Sequence, residues 1–157
     1  MGRLKFNGYT IAFQEVPDET ALVINISGCP HRCNGCHSEY LWENSGLYID
    51  DELETLLDRY AELITCVCFM GGDQDLEDLY GLLRQVRKRG LKTALYSGLD
   101  DISALEEVLP TLNYVKIGHY AAELGGLDAE HTNQRMYKLQ DGKRTDITHR
   151  FQKRRLV

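Results

Sequence analysis

The sequence predicts an α/β protein whose mostly parallel sheet forms an open, partial (β/α) barrel. Strand-like and helix-like segments alternate along the chain, and the loops between them are short. Residues 64–69 (ITCVCF) also form a continuous apolar run of strand length, which is typical of a parallel strand covered on both faces. Such alternation predicts right-handed βαβ units. The strand–helix positions are too few for a closed eight-stranded barrel.

The individual elements follow from local patterns. Strands are expected over residues 9–16, 20–27, 64–69, 92–97 and 112–117, and helices over residues 51–63, 76–89 and from Asp100 or Asp101 to Pro110. The helix over 76–89 has the clearest ends, because Asp75 precedes it, basic residues fill its last turn and Gly90 follows. Residues 133–139 and 146–151 are expected to form a final hairpin or irregular strands. Residues 1–157 therefore read as one domain, with 119–157 as a less regular C-terminal extension.

Composition limits the class of protein. A chain of 157 residues buries roughly two-thirds of its unfolded surface, and 43% apolar with 27% charged residues is typical of soluble globular domains. No membrane-length apolar run and no signal-peptide pattern occur, so we expect a cytoplasmic protein without membrane contact. The net charge of −6 argues against nucleic acid as the main partner. A basic C-terminal stretch from Lys143 to Arg155 is either a solvated, partly frayed end or a docking surface for an acidic partner.

The cysteines indicate a metal centre. Cys29, Cys33 and Cys36 have the spacing C-x3-C-x2-C in a segment that follows the strand over 20–27, and we call residues 28–37 the cysteine loop. In a reducing compartment clustered cysteines favour metal or catalytic roles over disulfides. A structural zinc site usually needs two separated ligand pairs, and a second C-x-x-C is absent. Three thiolates suit a [4Fe–4S] cluster with one open iron. Cys66 and Cys68 are expected to be core residues.

The spacing Cys29-x3-Cys33-x2-Cys36 resembles the signature of the radical S-adenosylmethionine enzymes. The resemblance implies that these three cysteines ligate the cluster and are the catalytic residues. It also implies that S-adenosylmethionine binds the open iron and is split to methionine and a 5′-deoxyadenosyl radical. Gly71-Gly72-Asp73 matches the family's glycine-glycine-acid element, which holds the methionine end of the cofactor. Ser97 follows the next strand, where the family often makes a further cofactor contact.

Gly35 narrows the resemblance to one branch. Most members of the superfamily have an aromatic residue just before the third cysteine, whereas the pattern C-x3-C-x-G-C is similar to the anaerobic ribonucleoside-triphosphate reductase activating proteins. His37, Trp42 and an Asn133-Gln134-Arg135 segment agree with that branch, as does the short chain. By this resemblance, Gly35 and His37 line the adenine side of the cofactor.

The resemblance implies a glycyl-radical-generating activase. Its protein substrate would be an anaerobic ribonucleoside-triphosphate reductase, and reduced flavodoxin or ferredoxin would supply the electron. Three alternatives remain open. They are another small radical enzyme (a different glycyl-radical activase or a carboxy-deazaguanine synthase), an iron–sulfur electron carrier, and a zinc-stabilised interaction module.

Overall fold

The computed structural model describes residues 3–29, 31 and 43–152. The described strands are β1 (Lys5–Ala12), β2 (Ala21–Ile26), β3 (Leu47–Tyr48), β4 (Cys66–Met70), β5 (Lys92–Tyr96), β6 (Tyr114–Ile117), β7 (Arg135–Gln140) and β8 (Lys143–Asp146). The described α-helices are α1 (Ile49–Tyr60), α2 (Leu76–Lys88) and α3 (His149–Gln152). All eight strands join one sheet in the order β3-β1-β2-β4-β5-β6-β7-β8. None of the described helices combines the length and the hydrophobicity needed to cross a membrane.

The sheet is mixed, so the expectation of a mostly parallel, partial barrel is wrong. Strands β2, β4, β5 and β6 are parallel to their neighbours in that series, but β1, β3, β7 and β8 join the sheet antiparallel. Four of the seven pairings between described strands are therefore antiparallel. The physical reason is the short connections: β1 returns to β2, and β7 to β8, without the crossover that a parallel pairing requires.

The hairpin between β7 and β8 has a specific local cause. Its two turn residues, Asp141 and Gly142, both have positive φ angles of 53° and 74°. A two-residue turn of this kind matches the twist of antiparallel strands, and Asp-Gly is one of its preferred sequences. The Asp-Gly pair was thus a usable signal for the position of this turn, and sequence reasoning did not use it. The predicted second strand over 146–151 is displaced, since residues 149–152 form α3.

The third predicted helix is not continuous. Between Asp100 and Pro110 the chain instead forms a short 3₁₀ helix over Ile102–Leu105, and a second one follows over Leu109–Thr111. The Asp101 side chain accepts from the Ser103 backbone N–H, which caps the first of these turns. A segment this short and bounded by proline gains too few backbone hydrogen bonds to offset the cost of nucleating an α-helix.

The two faces of the sheet are packed differently. Helices α1 and α2 cover one face, where large aliphatic and aromatic side chains are buried: Leu22, Ile24, Ile26, Val67, Phe69, Leu95 and Val115. The other face, which we call the small-residue face, carries mostly shorter side chains: Ala21, Val23, Cys66, Cys68, Ala94, Tyr114 and Met136. Val16 and Phe151 pack over the small-residue face, so the connection before β2 and the helix α3 act as its cover.

A buried carboxylate fixes the amino ends of the parallel strands. Glu19, whose side chain is 4% exposed, accepts hydrogen bonds from Lys92 Nζ at 2.8 Å and from the Tyr114 hydroxyl at 2.8 Å. The Thr65 hydroxyl donates to its other oxygen at 2.7 Å. Burial by itself raises the pKa of Glu19, but the three hydrogen bonds outweigh it, and the pKa lies below its usual value. Glu19 therefore joins the segment before β2 to β5 and β6.

Most of the basic C-terminal stretch belongs to the folded structure. Lys143 and Arg144 lie on β8, and Arg150 of α3 forms a two-pronged ion pair with Asp18 at 2.7 and 3.0 Å. Residues 153–157 lie outside the described part of the chain. The interpretation of a frayed end thus does not hold for residues 143–152.

Candidate functional site

Several predicted site residues meet at one edge of the sheet. Because β2, β4, β5 and β6 run parallel, the loops that follow them emerge at a common edge, which we call the carboxyl edge. Cys29 and His31 follow β2, Gly71-Gly72-Asp73 follows β4, and Ser97 follows β5. The structure thus brings Cys29, Asp73 and Ser97, three of the predicted site residues, to the same edge of the sheet. Cys33, Gly35, Cys36 and His37 lie outside the described residues.

Asp73 is the centre of the contacts at this edge. Its side chain is only 3% exposed, and its Oδ2 accepts a hydrogen bond from the Ser97 hydroxyl at 2.5 Å. The same oxygen lies 2.9 Å from His31 Nε2, which donates to it because a carboxylate oxygen can only accept. Ser97 was predicted as a cofactor contact and in fact touches the predicted carboxylate. The contact from His31 was not predicted.

The two glycines before Asp73 shape the turn after β4. Gly71 and Gly72 have φ angles of +102° and +115°, a conformation that side chains with a Cβ rarely adopt. The Gly71 N–H bonds to the Tyr96 carbonyl at 2.9 Å, which keeps this loop beside β5. The next side chain, Gln74, donates from Nε2 to the Ser27 carbonyl at 2.9 Å. The loop after β4 is therefore tied to both neighbouring strands, and the core side chains of Leu4 and Leu79 pack closely against Gly72.

Gly98 allows the His31 ring to lie against the loop after β5. A Cβ atom built on Gly98 would be only 2.7 Å from the Cγ and Cδ2 atoms of His31. Real Cβ contacts are essentially never that short, so this glycine is needed for the close approach and not for an unusual φ angle. The sequence showed only a Ser-Gly pair at a strand end, a pattern that fits an ordinary turn equally well.

Lys116 joins the loops after β5 and β6. Its side chain lies on the same side of the sheet as Tyr96, and its Nζ is 5.9 Å from the centre of that ring. Nζ donates to the Ser97 carbonyl at 3.2 Å and to the Gly118 carbonyl at 2.8 Å. The residue is only 9% exposed. Sequence reasoning missed Lys116. A lysine within the apolar strand YVKI was a usable signal, because a lysine is rarely buried unless its ammonium group has hydrogen-bond partners.

The two ends of the cysteine-containing segment are held together. The Gly28 N–H donates to the Glu43 carbonyl at 3.1 Å. The Ser27 hydroxyl donates to the Ser45 carbonyl at 2.5 Å and accepts from the Ser45 N–H at 3.1 Å. Cys29 is half-buried directly after this closure. The residues between Cys29 and Glu43 therefore start and finish at the same point beside β2.

Cys66 and Cys68 lie in the core and are not placed to ligate a metal centre together with Cys29. Both side chains are fully buried on the small-residue face, with Cys66 at the start of β4 and Cys68 at its middle. Burial raises the pKa of both thiols far above its usual value, so both stay protonated at neutral pH. They are core residues. Across residues 3–29, 31 and 43–152, no three His, Cys, Asp or Glu side chains converge as a metal site.

An open cleft borders the His31 ring. It has a volume of about 390 Å³ and is lined by His31, Gly98, Asp100 and His119, among others. Asp100 accepts from His119 Nδ1 at 2.8 Å, and this hydrogen bond is the main reason why the pKa of Asp100 lies below its usual value. The cleft is polar and accessible. It therefore offers space for a substrate immediately beside the predicted site.

Comparison with known proteins supports an iron–sulfur centre. The family described as the 4Fe-4S single cluster domain matches residues 19–137, which is well over half of the chain. The match includes the cysteine loop, Gly71-Gly72-Asp73 and Ser97. No curated protein and no solved structure matches the chain. The chain belongs to the 4Fe-4S single cluster domain family.

Proposed function

We propose that this protein is a radical S-adenosylmethionine enzyme that activates an anaerobic ribonucleoside-triphosphate reductase by forming a glycyl radical on it. One observation carries the proposal. The segment with the C-x3-C-x2-C spacing leaves β2 at the same edge of the sheet as a buried Asp73 and two adjacent glycines with positive φ. A 4Fe-4S cluster domain is present, and this domain is found in radical S-adenosylmethionine-type proteins.

The cysteine thiols fit a cluster with three protein ligands. We assign Cys29, Cys33 and Cys36 as those ligands. The assignment is supported by elimination, because the other two cysteines are buried thiols with raised pKa values at a distance along β4 from the carboxyl edge. When bound and reduced, such a cluster supplies the electron that cleaves S-adenosylmethionine.

The loops after β4 and β5 fit the polar end of S-adenosylmethionine. Asp73 presents a carboxylate that can accept from the cofactor's ammonium group, and both of its contacts described above use Oδ2. Gly71 and Gly72 adopt the positive φ angles that form the turn leading into Asp73. Ser97 holds the Asp73 carboxylate in position. Gly35 and His37 are assigned to the adenine side by the sequence resemblance alone.

The proposed substrate is a glycine within a loop of the partner protein. The cleft beside His31 opens to the surface, so a polypeptide segment can enter it without passing through the core. Hydrogen abstraction from a glycine Cα needs close contact with the backbone of that segment and no acid or base from the activase. The proposed electron donor is reduced flavodoxin or ferredoxin.

The decisive experiment measures both reaction products. The protein is purified anaerobically, its cluster is reconstituted and reduced, and S-adenosylmethionine is added with and without an anaerobic ribonucleoside-triphosphate reductase. We expect 5′-deoxyadenosine and methionine to form, and a glycyl radical to appear by electron paramagnetic resonance on the reductase only. The Cys33→Ala variant should form neither product, because two thiolates do not hold a catalytic cluster.

Two other outcomes would contradict the proposal in different ways. Cleavage of S-adenosylmethionine without a glycyl radical on the reductase would indicate another small radical enzyme, such as a different activase or a carboxy-deazaguanine synthase. Reversible reduction of the cluster without any cleavage would indicate an electron carrier, which the family match also permits.

A further inference from the structure

We propose that His31 is a positioning residue for the cluster: its imidazole fastens the cysteine loop to the carboxyl edge by bonding to Asp73 and lying on Gly98. This inference rests on the proposed assignment of Cys29, Cys33 and Cys36 as cluster ligands. It adds a task for His31 that the ligands themselves do not provide.

His31 lies close enough in the sequence to Cys29 and Cys33 to influence the positions of both proposed ligands. It lies two residues after Cys29 and two residues before Cys33. Neighbouring Cα atoms are fixed about 3.8 Å apart by the trans peptide bond, so a fixed His31 limits where both thiols can lie. Without the contacts of His31, the loop would be held only at its two ends. The positions of the thiols would then be less restricted, and binding of the cluster itself would have to order them.

Asp73, the hydrogen-bond partner of His31, is itself held in place by burial and by further hydrogen bonds. Asp73 is almost fully buried, whereas the His31 side chain is 19% exposed, so the loop residue binds to the core and not the reverse. Ser97 donates to Asp73 through its hydroxyl, and the same hydroxyl accepts from the Leu99 N–H at 3.0 Å. Lys116 in turn holds the Ser97 carbonyl. A chain of hydrogen bonds thus runs from β6 through Ser97 and Asp73 to His31.

Gly98 provides the second contact that holds the His31 ring. With no Cβ at position 98, the imidazole ring lies directly against the backbone after β5. The ring is therefore fixed by a hydrogen bond at Nε2 and by packing at Cγ and Cδ2. Two independent contacts on one side chain define its orientation better than either contact alone.

The sharpest test changes Gly98 and leaves His31, Asp73 and every cysteine intact. In Gly98→Ala, the new Cβ displaces the imidazole. We expect iron release to a chelator from the anaerobically reconstituted protein to be about tenfold faster, as when a partner of a metal ligand is lost. Gly81→Ala is the matched control, because a Cβ there meets nothing within 4 Å. Its iron release should equal that of the wild type.

A second pair of variants separates positioning from general stability. His31→Ala should release iron as fast as Gly98→Ala and should broaden the electron paramagnetic resonance spectrum of the reduced cluster. His31→Gln should restore slow release and the narrow spectrum, because its amide N–H can donate to Asp73. Hydrogen–deuterium exchange of the cluster-free protein should rise in peptides covering residues 28–37 for His31→Ala, with peptides of α2 unchanged.

The results that overturn the inference are equally specific. Wild-type iron release from both His31→Ala and Gly98→Ala would show that the cysteine loop does not need this grip. Release from His31→Gln as fast as from His31→Ala would show that the Asp73 hydrogen bond is irrelevant. None of these measurements involves S-adenosylmethionine or the reductase, so a failure here is distinct from a failure of the proposed function.

Discussion

Two buried carboxylates hold opposite edges of the same sheet. Glu19 gathers Lys92, Tyr114 and Thr65 at the amino ends of the parallel strands, whereas Asp73 receives Ser97 and His31 at the carboxyl edge. Burying a carboxylate is costly unless it accepts hydrogen bonds, and both residues accept at least two. The difference is in the partners: those of Glu19 all lie outside the candidate site, and those of Asp73 include a residue of the cysteine loop.

The ionisation of Glu19 makes the stability of the fold depend on pH. The pKa of Glu19 lies below its ordinary value of 4.5, so the ionised form stabilises the fold above pH 4.5 and this stabilisation is lost as the pH falls through the folded-state pKa. Glu19→Gln should lower the free energy of unfolding at pH 7 by about 1–3 kcal/mol, the cost of weakened hydrogen bonds to a charged group. Urea unfolding at several pH values measures it.

Measurements at acid pH distinguish the loss of the Glu19 charge from a loss of packing in Glu19→Gln. The difference in free energy of unfolding between the wild type and Glu19→Gln should shrink below pH 4.5, since the wild type then loses its own charge. A difference that is equally large at pH 7 and at the acid end would contradict the role of the ionised carboxylate.

Sequence reasoning at this scale found residues of distinctive type and spacing. The cysteine spacing and Gly71-Gly72-Asp73 are local patterns, and in the structure Asp73 lies beside His31 of the cysteine loop. The contact between His31 and Asp73 was not predicted, and the two residues are 42 positions apart in the chain. A contact of that range depends on how β2 and β4 pair, and no local pattern contains that information.

Elements with strong end signals were predicted well. The helix expected over 76–89 is α2, Leu76–Lys88, and the Asp75 side chain caps it by accepting from the Asp78 N–H at 3.1 Å. The segment before Pro110 failed as a helix because its apolar spacing was helical but its length was not sufficient. Periodicity identifies a face, whereas caps and length decide whether the helix forms.

The element-scale prediction concerns the hairpin between β7 and β8. Gly142 has a φ of +74° and open space around its missing Cβ, so Gly142→Ala adds strain without a collision. We expect it to lower the free energy of unfolding by about 1–2 kcal/mol, the cost of the left-handed conformation for an L-residue. Thermal unfolding measures the loss.

Gly81→Ala in α2 is again the natural control. This glycine lies in a helix with nothing near its missing Cβ, so the same substitution should raise the free energy of unfolding by roughly 0.5–1 kcal/mol. Equal effects of the two substitutions, in sign and size, would disprove the role of the positive φ at Gly142.

The whole molecule is a sheet with unequal covers. Helices α1 and α2 cover one face with many large side chains, whereas Val16 and Phe151 are among the few side chains that cover the small-residue face. The ion pair between Arg150 and Asp18 joins the two parts of that second cover. The sequence predicted the four parallel strands β2, β4, β5 and β6 but not this arrangement. The alternation of strands and helices suggested helical crossovers throughout and gave no sign of the antiparallel strands at both ends of the sheet.

The contribution of α3 to the cover of the small-residue face can be tested by substituting Phe151. Phe151 is 5% exposed, and Phe151→Ala should lower the free energy of unfolding by about 3–5 kcal/mol, as for large-to-small changes in a core. Lys143→Ala on the exposed strand β8 should change it by no more than about 0.5 kcal/mol. Denaturant unfolding of both variants decides the point, and comparable losses from both would mean that α3 does not protect the core.

The order of strands in the sheet also determines when each part can form during synthesis. From β5 to β8, every strand pairs with the strand before it in the sequence, so this part of the sheet can grow as the chain leaves the ribosome. The cysteine loop emerges early, but Asp73 and Gly98, which hold His31, emerge more than forty and more than sixty residues later. With Cys29, Cys33 and Cys36 as the proposed cluster ligands, iron delivered before β5 has paired would meet cysteines whose neighbour His31 has not yet made these contacts, and we expect cluster assembly to follow the pairing of β5.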